Sequence, residues 1–266
     1  MTTIATIGHV TRDVVAGAAP RGGGAVLYSA RALARLRADA HVAASCRPED
    51  RDVLGGGLRG LGLTVTWYAS PTTAAYSFHY EGDQRIMRQD AIGAPWSPKQ
   101  ALEAVRDARF VHVGALVRTD FPVETLAALA EGNRRLLVDA QGLVRRPDLG
   151  PLRTDGETGG ALSHVSILKL NDEEAETLVG SAEPKALLAL GVPEVILTLG
   201  SKRSCVITAD AIVDVPAREI SAASVDPTGA GDTFSAGYLA ARAAGLDPAA
   251  AAEQATVTVA AFLSGD

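Results

Sequence analysis

The sequence predicts an α/β fold in which helices cover both faces of a doubly wound parallel sheet. Short apolar runs, each ending at glycine or at polar residues, alternate along the chain with stretches of helical periodicity. A nearly continuous apolar run such as 3–7 is typical of a buried parallel strand. Ligands of such sheets bind beyond the carboxyl ends of the strands, so the residues at those ends are the candidates for a functional site.

The individual elements follow from these patterns in chain order. Strands are expected at 3–7, 41–45, 63–68, 110–113, 135–138, 165–170, 194–198, 204–208 and 211–215. Helices are expected at 25–37, 49–61, 123–130, 171–180 and 248–263, with two more that begin near Ser97 and Gly229. Ser97 followed by Pro98 is a good helix start, since serine caps the first turn and proline suits the first helical position.

Residues 72–88 interrupt this alternation with a pattern typical of an exposed hairpin. A polar, two-stranded excursion between α/β units is a candidate lid over a binding site. We place lid strands at approximately 10–22 and 72–90, inserted in a single domain that spans 1–266. No internal repeat or low-complexity linker divides the sequence.

The composition indicates a globular protein of the cytoplasm. With 47% apolar residues among 266, the chain can bury a substantial core, and no apolar run approaches the length of a membrane span. The formal net charge of −6, with no basic run interleaved with aromatic residues, argues against nucleic acid as a partner. Cys46 and Cys205 follow no metal-binding spacing and are expected to be free thiols.

The stretch 225–241 carries the strongest chemical signal. Asp226 and Pro227 end the preceding segment, and a packed helix begins at about Gly229. The exposed N–H groups of a helix start bind anions, and Gly229, Ala230 and Gly231 let a ligand approach the backbone closely. Asp232 lies in this first turn. It either stabilises the helix start or accepts a proton while the N–H groups hold a phosphate.

The sequence DPTGAGDTF at 226–234 resembles the C-terminal signature of the ribokinase-like (PfkB-type) carbohydrate kinases. The resemblance implies a three-layer αβα core with a small β-lid. It also implies that the backbone of Gly229, Ala230 and Gly231 forms the anion hole and that Asp232 is the catalytic base. It favours the catalytic role of Asp232 over the structural one.

Two N-terminal features fit the same family. Asp13 follows the first strand, and the resemblance implies that it binds substrate hydroxyls, although the pattern alone also fits a solvated loop acid. Gly23 and Gly24 precede a helix, as in the family's N-terminal signature, where bare backbone approaches the substrate. Many members have an asparagine a few residues later, where this chain has Leu27 and Tyr28, and this departure weakens an assignment of ribose.

The loop DAQGLVR at 139–145 follows a predicted strand end and resembles a loop of the short myo-inositol kinase branch. The resemblance implies substrate contacts from Asp139, Gln141 and Arg145. It makes myo-inositol, or a closely similar polyol, the leading acceptor.

The donor side is predicted from three further segments. Asn171 and Glu174 are explained by helix capping, but they also match the family's N-x-x-E motif, which implies Mg²⁺ placement, in part through water. Thr198 and Gly200, together with Thr228, match positions that contact ATP. A glycine often found three residues after Gly200 is Arg203 here. Positions that hold K⁺ in some members of the family are Asp226 and Thr228.

Together these features predict an ATP-dependent kinase, with Mg²⁺ and in some members K⁺, that acts on a small polyol as a monomer or a lid-mediated homodimer. The sequence leaves two alternatives open. One is a kinase of the same family for sugars or nucleosides. The other is a ligand-sensing relative that retains the fold but no longer transfers phosphate.

Overall fold

The structure, a computed structural model, describes residues 3–15, 18–81, 84–220 and 226–265. The described strands are β1 Ile4–His9, β2 Thr11–Val15, β3 Arg21–Gly23, β4 Ala40–Cys46, β5 Thr64–Ala69, β6 Ala75–Glu81, β7 Gln84–Ala91, β8 Phe110–Gly114, β9 Arg135–Asp139, β10 Gly150–Pro151, β11 Ile167–Asn171, β12 Glu194–Thr198, β13 Arg203–Ile207 and β14 Ile212–Pro216. The described α-helices are α1 Ala25–Arg35, α2 Arg51–Leu54, α3 Pro98–Val105, α4 Val123–Ala130, α5 Gln141–Val144, α6 Asp172–Val179, α7 Pro184–Leu187, α8 Ala230–Ala243 and α9 Pro248–Ser264.

The main sheet has nine strands in the order β14-β13-β12-β11-β9-β8-β1-β4-β5. All neighbouring pairs are parallel except β12–β13 and β13–β14. From β1 the chain builds outward through β4 and β5, then returns to build the other side from β8. The strand order therefore reverses between β1 and β8, which is where α/β sheets bind ligands.

Side chains that alternate along the strands form two cores, one on each face of the sheet. On β11, Leu168 and Leu170 pack into a cluster with residues of α3 and α4, while Ile167 packs into a second cluster with residues of α1, α8 and α9. The sheet is therefore the middle of three layers, which confirms the predicted fold class. In the described part of the chain, no helix is long and apolar enough to cross a membrane.

A second sheet of five strands, in the order β10-β7-β6-β2-β3, lies beyond the carboxyl end of β1. It begins there because β2 follows β1 after the single residue Val10. Tyr76 and Phe78 on β6 and Met87 on β7 line the space between the two sheets. The predicted lid segments 10–22 and 72–90 contain strands of this sheet. Residues 16–17 and 82–83 of these segments lie outside the described part of the chain. The same holds for residues 1–2 and 266 of the predicted single domain.

The helix expected at 49–61 is wrong. The structure instead has a 3₁₀ turn at Pro48–Asp50, the short α2, and a second 3₁₀ turn at Gly55–Leu58. Consecutive glycines are poor helix formers, and a Cβ on Gly55 would lie 2.4 Å from the Trp67 ring. Close packing on β5 therefore decides the conformation of this segment.

Candidate active site

A polar cavity of about 320 Å³ lies between the carboxyl end of the main sheet and the second sheet. The predicted site residues that line it are Asp13, Gly24, Asp139, Gln141, Arg145, Asn171, Glu174, Thr228, Gly229, Gly231 and Asp232. The predicted site residues that do not line it are Gly23, Ala230, Asp226, Thr198 and Gly200. The fold therefore brings together segments that are far apart in the sequence, and they meet where the strand order reverses.

The N-terminus of α8 opens into this cavity. Gly229 precedes the helix with φ +85°, a left-handed conformation that favours glycine. The N–H of Ala230 donates to the carbonyl of Pro227 at 3.0 Å, and no side chain caps the helix. Among the contacts of the described residues, the N–H groups of Gly231 and Asp232 have no acceptor. A helix start with unpaired N–H groups is an anion-binding site.

Asp232 lies in the first turn of α8, half-buried at the wall of the cavity. Burial, followed by the negative charge of Asp139, raises the pKa of Asp232 to about 6. The positive charges of Lys169 and Arg145 limit the rise. A carboxylate with this pKa is still ionised at neutral pH, yet it is a stronger base than an exposed aspartate, as general-base catalysis requires.

A buried network lies under α8, and the sequence analysis did not find it. Asp139, which is 2% exposed, accepts hydrogen bonds from Lys169 Nζ and Ser235 Oγ, both at 2.9 Å. Its other oxygen lies 2.8 Å from Nε2 of His112, whose Nδ1 is 2.9 Å from Ser29 Oγ. The oxygens of Asp139 are thus held by internal partners, and a direct contact with substrate stays a prediction.

The charges in this network stabilise one another. Burial would raise the pKa of Asp139, but the Lys169 ammonium and the hydrogen bond with His112 outweigh it and hold this pKa below its usual range. Burial would likewise lower the pKa of Lys169, yet the charges of Asp139 and Glu174 keep it above the usual range. Lys169 therefore remains a cation at the cavity wall, next to the start of α8.

A sequence signal for the network exists but is incomplete. His112, Asp139 and Lys169 each lie two residues after an apolar residue that faces α8, so all three are on the same face of the sheet. A polar residue in an apolar strand is unusual, so the sequence indicates each of these three residues as a candidate on its own. Their meeting depends on the strand order and on the register that places Lys169 beside Asp139, which the sequence does not show.

Asp13 is positioned by its own strand and by the neighbouring glycines. It is buried, and Oγ1 of Thr11 donates to its carboxylate at 2.7 Å. A Cβ on Gly23 would lie 2.0 Å from the carboxylate of Asp13, so glycine at this position leaves room for the acid. Gly24, with φ +95°, starts α1 and lines the cavity itself. The substrate-binding roles of these residues stay predictions.

Arg145 supplies a second cation to the cavity. It follows α5 directly and is half-buried, and its positive charge acts on the phenol of Tyr76, where it opposes the rise in pKa that burial causes. Gln141 begins α5 and lines the same wall. With Asp13 opposite in charge, the cavity presents both an anion and a cation to a ligand, which suits a molecule with several hydroxyl groups.

Asn171 and Glu174 form a capping box at the start of α6. The N–H of Glu174 donates to Asn171 Oδ1 at 2.8 Å, and the N–H of Asn171 donates to Glu174 Oε2 at 2.9 Å. Capping, the first explanation of these residues, is confirmed, and both side chains also line the cavity. Within the described ranges, no three His, Cys, Asp or Glu side chains are placed to hold a metal. The composition suits Mg²⁺ held mainly by water and phosphate oxygens.

Two predicted donor residues, Thr198 and Gly200, do not line the cavity, whereas Thr228 does. Thr198 ends β12, where its hydroxyl donates to the carbonyl of Leu170 at 3.2 Å, and Gly200 follows with φ +57°. Arg203, which stands where glycine is often found, forms an ion pair with Asp214. The nucleotide-binding roles of Thr198, Gly200 and Thr228 stay predictions.

Asp226, predicted as a K⁺ ligand with Thr228, has two partners. One carboxylate oxygen accepts the N–H of Thr228 at 3.0 Å, and the other lies 3.3 Å from Nη2 of Arg21 on β3. A guanidinium thus already offsets part of the charge of this carboxylate, and the role of Asp226 and Thr228 as K⁺ ligands stays a prediction. The contact also joins the second sheet to the turn before α8.

The doubly wound sheet, the uncapped helix start and the carboxylate in one polar cavity are the features of a small-molecule kinase. The family model "pfkB family carbohydrate kinase" matches residues 2–264. The chain belongs to this family, which confirms the resemblance found in the sequence.

Individual relatives agree with this assignment. The ATP-dependent ribose-1-phosphate kinase of Halopiger xanaduensis is 26% identical over 226 residues, which cover 82% of this chain and 72% of that enzyme. The 2-dehydro-3-deoxygluconokinase of Escherichia coli (strain K12) is 38% identical over 101 residues, only 32% of its length. A solved pyrophosphate-dependent kinase in the ribokinase family, complexed with a pyrophosphate analogue and myo-inositol, is 25% identical with a TM-score of 0.86, over 98% of this chain and 95% of that chain.

Proposed function

We propose that this carbohydrate kinase transfers a phosphoryl group to a hydroxyl of a small cyclic polyol, with myo-inositol as the leading acceptor. The observation that carries the proposal is the position of Asp232. Asp232 lies in the first turn of α8, where N–H groups are unpaired, and it lines the same cavity as Asp13 and Arg145. The DAQG-type loop at 139–142 and the similarity to a kinase solved with myo-inositol support the choice of acceptor.

The proposed reaction uses each group of the cavity once. Asp13 and Arg145 orient the polyol. Asp232 accepts the proton of the reacting hydroxyl while the hydroxyl oxygen forms a bond to phosphorus. The bond from phosphorus to the leaving oxygen of the donor breaks at the same time. The N–H groups of Gly231 and Asp232 stabilise the charge on the transferring phosphoryl group, and the Lys169 ammonium adds a fixed positive charge nearby.

ATP is the donor that the sequence motifs favour. Thr198, Gly200 and Thr228 would contact the nucleotide, and Asn171 and Glu174 would place Mg²⁺ through water. When bound, Mg²⁺ would neutralise charge on the donor phosphates.

Inorganic pyrophosphate is a second candidate donor, favoured by a specific observation. The solved kinase with a TM-score of 0.86 is pyrophosphate-dependent. Thr198 and Gly200 also lie outside the cavity that holds Asp232 and Lys169. A donor without a nucleoside would need only the phosphate-binding groups at the start of α8.

A matrix of donors and acceptors tests the proposal. MgATP and Mg-pyrophosphate are each assayed, with and without K⁺, against myo-inositol, other cyclitols, ribose, ribose 1-phosphate, fructose, adenosine and cytidine. We expect a phosphorylated cyclitol, detected by mass spectrometry, with one donor strongly preferred. If only sugars or nucleosides are phosphorylated, the cyclitol is not the acceptor, and the alternative of a sugar or nucleoside kinase replaces it. A silent matrix with a bound donor would favour the ligand-sensing alternative.

A further inference from the structure

The ring of Tyr28 lies directly against Gly229, the residue that turns the chain into α8. A Cβ on Gly229 would lie 2.2 Å from Cδ1 and 2.3 Å from Cγ of Tyr28, so the ring occupies the place where a side chain would be. Gly229 has φ +85°, and glycine adopts this conformation without being restricted to it. Contact with a rigid ring limits the other conformations of this turn.

Tyr28 is itself held from two other directions. It is 9% exposed on α1, and Phe262 of α9 meets its ring edge-to-face at 6.3 Å between centroids. The guanidinium carbon of Arg31 lies 5.9 Å from the centroid of the ring. The packing therefore runs from α9 through Tyr28 to the turn that starts α8, although Phe262 does not line the cavity.

We infer that Tyr28 is a positioning residue for phosphoryl transfer, and that Phe262 acts through it. The row Phe262–Tyr28–Gly229, named here the aromatic brace, holds the left-handed turn so that the N–H groups of Gly231 and Asp232 face the transferring phosphate. The aromatic ring of Tyr28 carries this role, and its hydroxyl does not. The inference rests on the proposed function, because the N–H groups matter only if they bind a phosphate.

Three substitutions separate the ring from the hydroxyl. Tyr28→Phe keeps the ring, and we expect kcat within about threefold of wild type. Tyr28→Ala removes the brace, and we expect kcat to fall by roughly 10- to 100-fold with the acceptor KM nearly unchanged, since small misplacements of catalytic groups have effects of this size. Phe262→Leu should lower kcat by several-fold from outside the cavity. Val257→Ala, an exposed change on the same helix, is the matched control and should have no effect.

A second readout tests the brace without turnover. Calorimetric titration with inorganic pyrophosphate should show weaker binding to Tyr28→Ala than to Tyr28→Phe. The effects of Tyr28→Ala and Phe262→Leu on kcat should also be strongly non-additive, because both remove the same support. Circular dichroism and thermal melting exclude variants that simply unfold.

Two results would overturn the inference. One is wild-type kcat and pyrophosphate binding in both Tyr28→Ala and Phe262→Leu. The other is a higher acceptor KM in Tyr28→Phe at unchanged kcat, which would assign the hydroxyl to acceptor binding. If wild type transfers phosphate to no acceptor, the proposed function fails, while the pyrophosphate titration still decides whether the brace shapes the anion site.

Discussion

Asp232 is an acid whose charge is set by residues from three strands. Burial and the negative charge of Asp139 raise its pKa to about 6, while Lys169, His112 and Arg145 oppose the change. The cation Lys169 thus has two effects, since it pairs with Asp139 and keeps Asp232 ionised near neutral pH. A base of this strength next to unpaired N–H groups is suited to accept a proton from a hydroxyl group.

The pH dependence of kcat/KM reports this charge balance. Because Asp232 must be ionised to accept a proton, we expect the rate to rise with pH through a midpoint near 6 and to level off above it. Lys169→Met removes a charge that lowers the pKa of Asp232, so its midpoint should move to higher pH. Lys99→Met, at an exposed position on α3 that does not line the cavity, is the control. A wild-type midpoint near 4 would contradict the assignment.

The same pKa shift affects stability. The folded protein binds the Asp232 proton more tightly than the unfolded chain does, because the pKa rises from 3.8 to about 6 on folding. The stabilisation by this proton is complete below pH 3.8 and is lost as the pH rises through 6. We therefore expect Asp232→Asn to raise the melting temperature at pH 7.5, with no gain below pH 4. An unchanged or lower melting temperature at pH 7.5 would contradict the conclusion that the ionised carboxylate of Asp232 destabilises the folded protein.

At the scale of elements, the far end of α8 is fixed to the sheet by a buried acid. Glu194 at the start of β12 accepts hydrogen bonds from Tyr238 at 2.9 Å and Arg242 at 2.8 Å, both on α8. It also pairs with Arg135 on β9. This cluster lies at the opposite end of α8 from Asp232, so it holds the helix whose N-terminus forms the anion site.

Glu194→Ala tests this anchor. The substitution removes the carboxylate of Glu194 and leaves the largely buried guanidinium of Arg242 without an anionic partner. We therefore expect the free energy of unfolding to fall by about 3 kcal/mol. Burial would raise the pKa of Glu194, but Arg242, Arg135 and Tyr238 lower it below 4.5. The stabilisation should therefore be present above pH 4.5 and be lost as the pH falls below it. Urea unfolding measures the effect, with exposed Glu253→Ala as control, and equal stabilities would contradict the role of the anchor.

Some of these elements could be predicted from sequence and others could not. The start of α8 was predictable because Pro227, Gly229 and Asp232 determine it through the local conformation of the chain, without distant contacts. The end of β9, which carries Asp139, followed from an apolar run, as did the strand β1 that precedes Asp13. The contact of Lys169 with Asp139, and that of Tyr28 with Gly229, depend on strand order and helix packing over long separations, for which a single sequence gives no signal.

At the scale of the whole molecule, the formal net charge of −6 contrasts with the cations in the cavity. An acidic protein can bind a polyanionic donor because Lys169, Arg145 and the start of α8 supply a local positive potential. The second sheet covers this region with Tyr76, Phe78 and Met87. The site is thus assembled from residues of both sheets.

The outer face of the second sheet favours a monomer among the two predicted oligomeric states. Alternating positions on β6 and β7 that point away from the cavity hold polar residues, including Ser77, Arg88 and Asp90. A lid-mediated dimer would have to bury these polar groups, which costs free energy unless they find partners. Sedimentation velocity should give the monomer mass of 27.4 kDa. A stable dimer that Arg88→Glu dissociates would contradict this.

The measurement that tests the account most directly is single-turnover phosphoryl transfer by wild type and Asp232→Asn, with the preferred donor and acceptor. The substitution keeps the size of residue 232 and removes its negative charge and its ability to accept a proton. We predict that Asp232→Asn folds and binds the donor as wild type does, yet transfers the phosphoryl group roughly 10²- to 10⁴-fold more slowly, the usual contribution of a general base. Transfer at nearly the wild-type rate would contradict the role of Asp232 as the base.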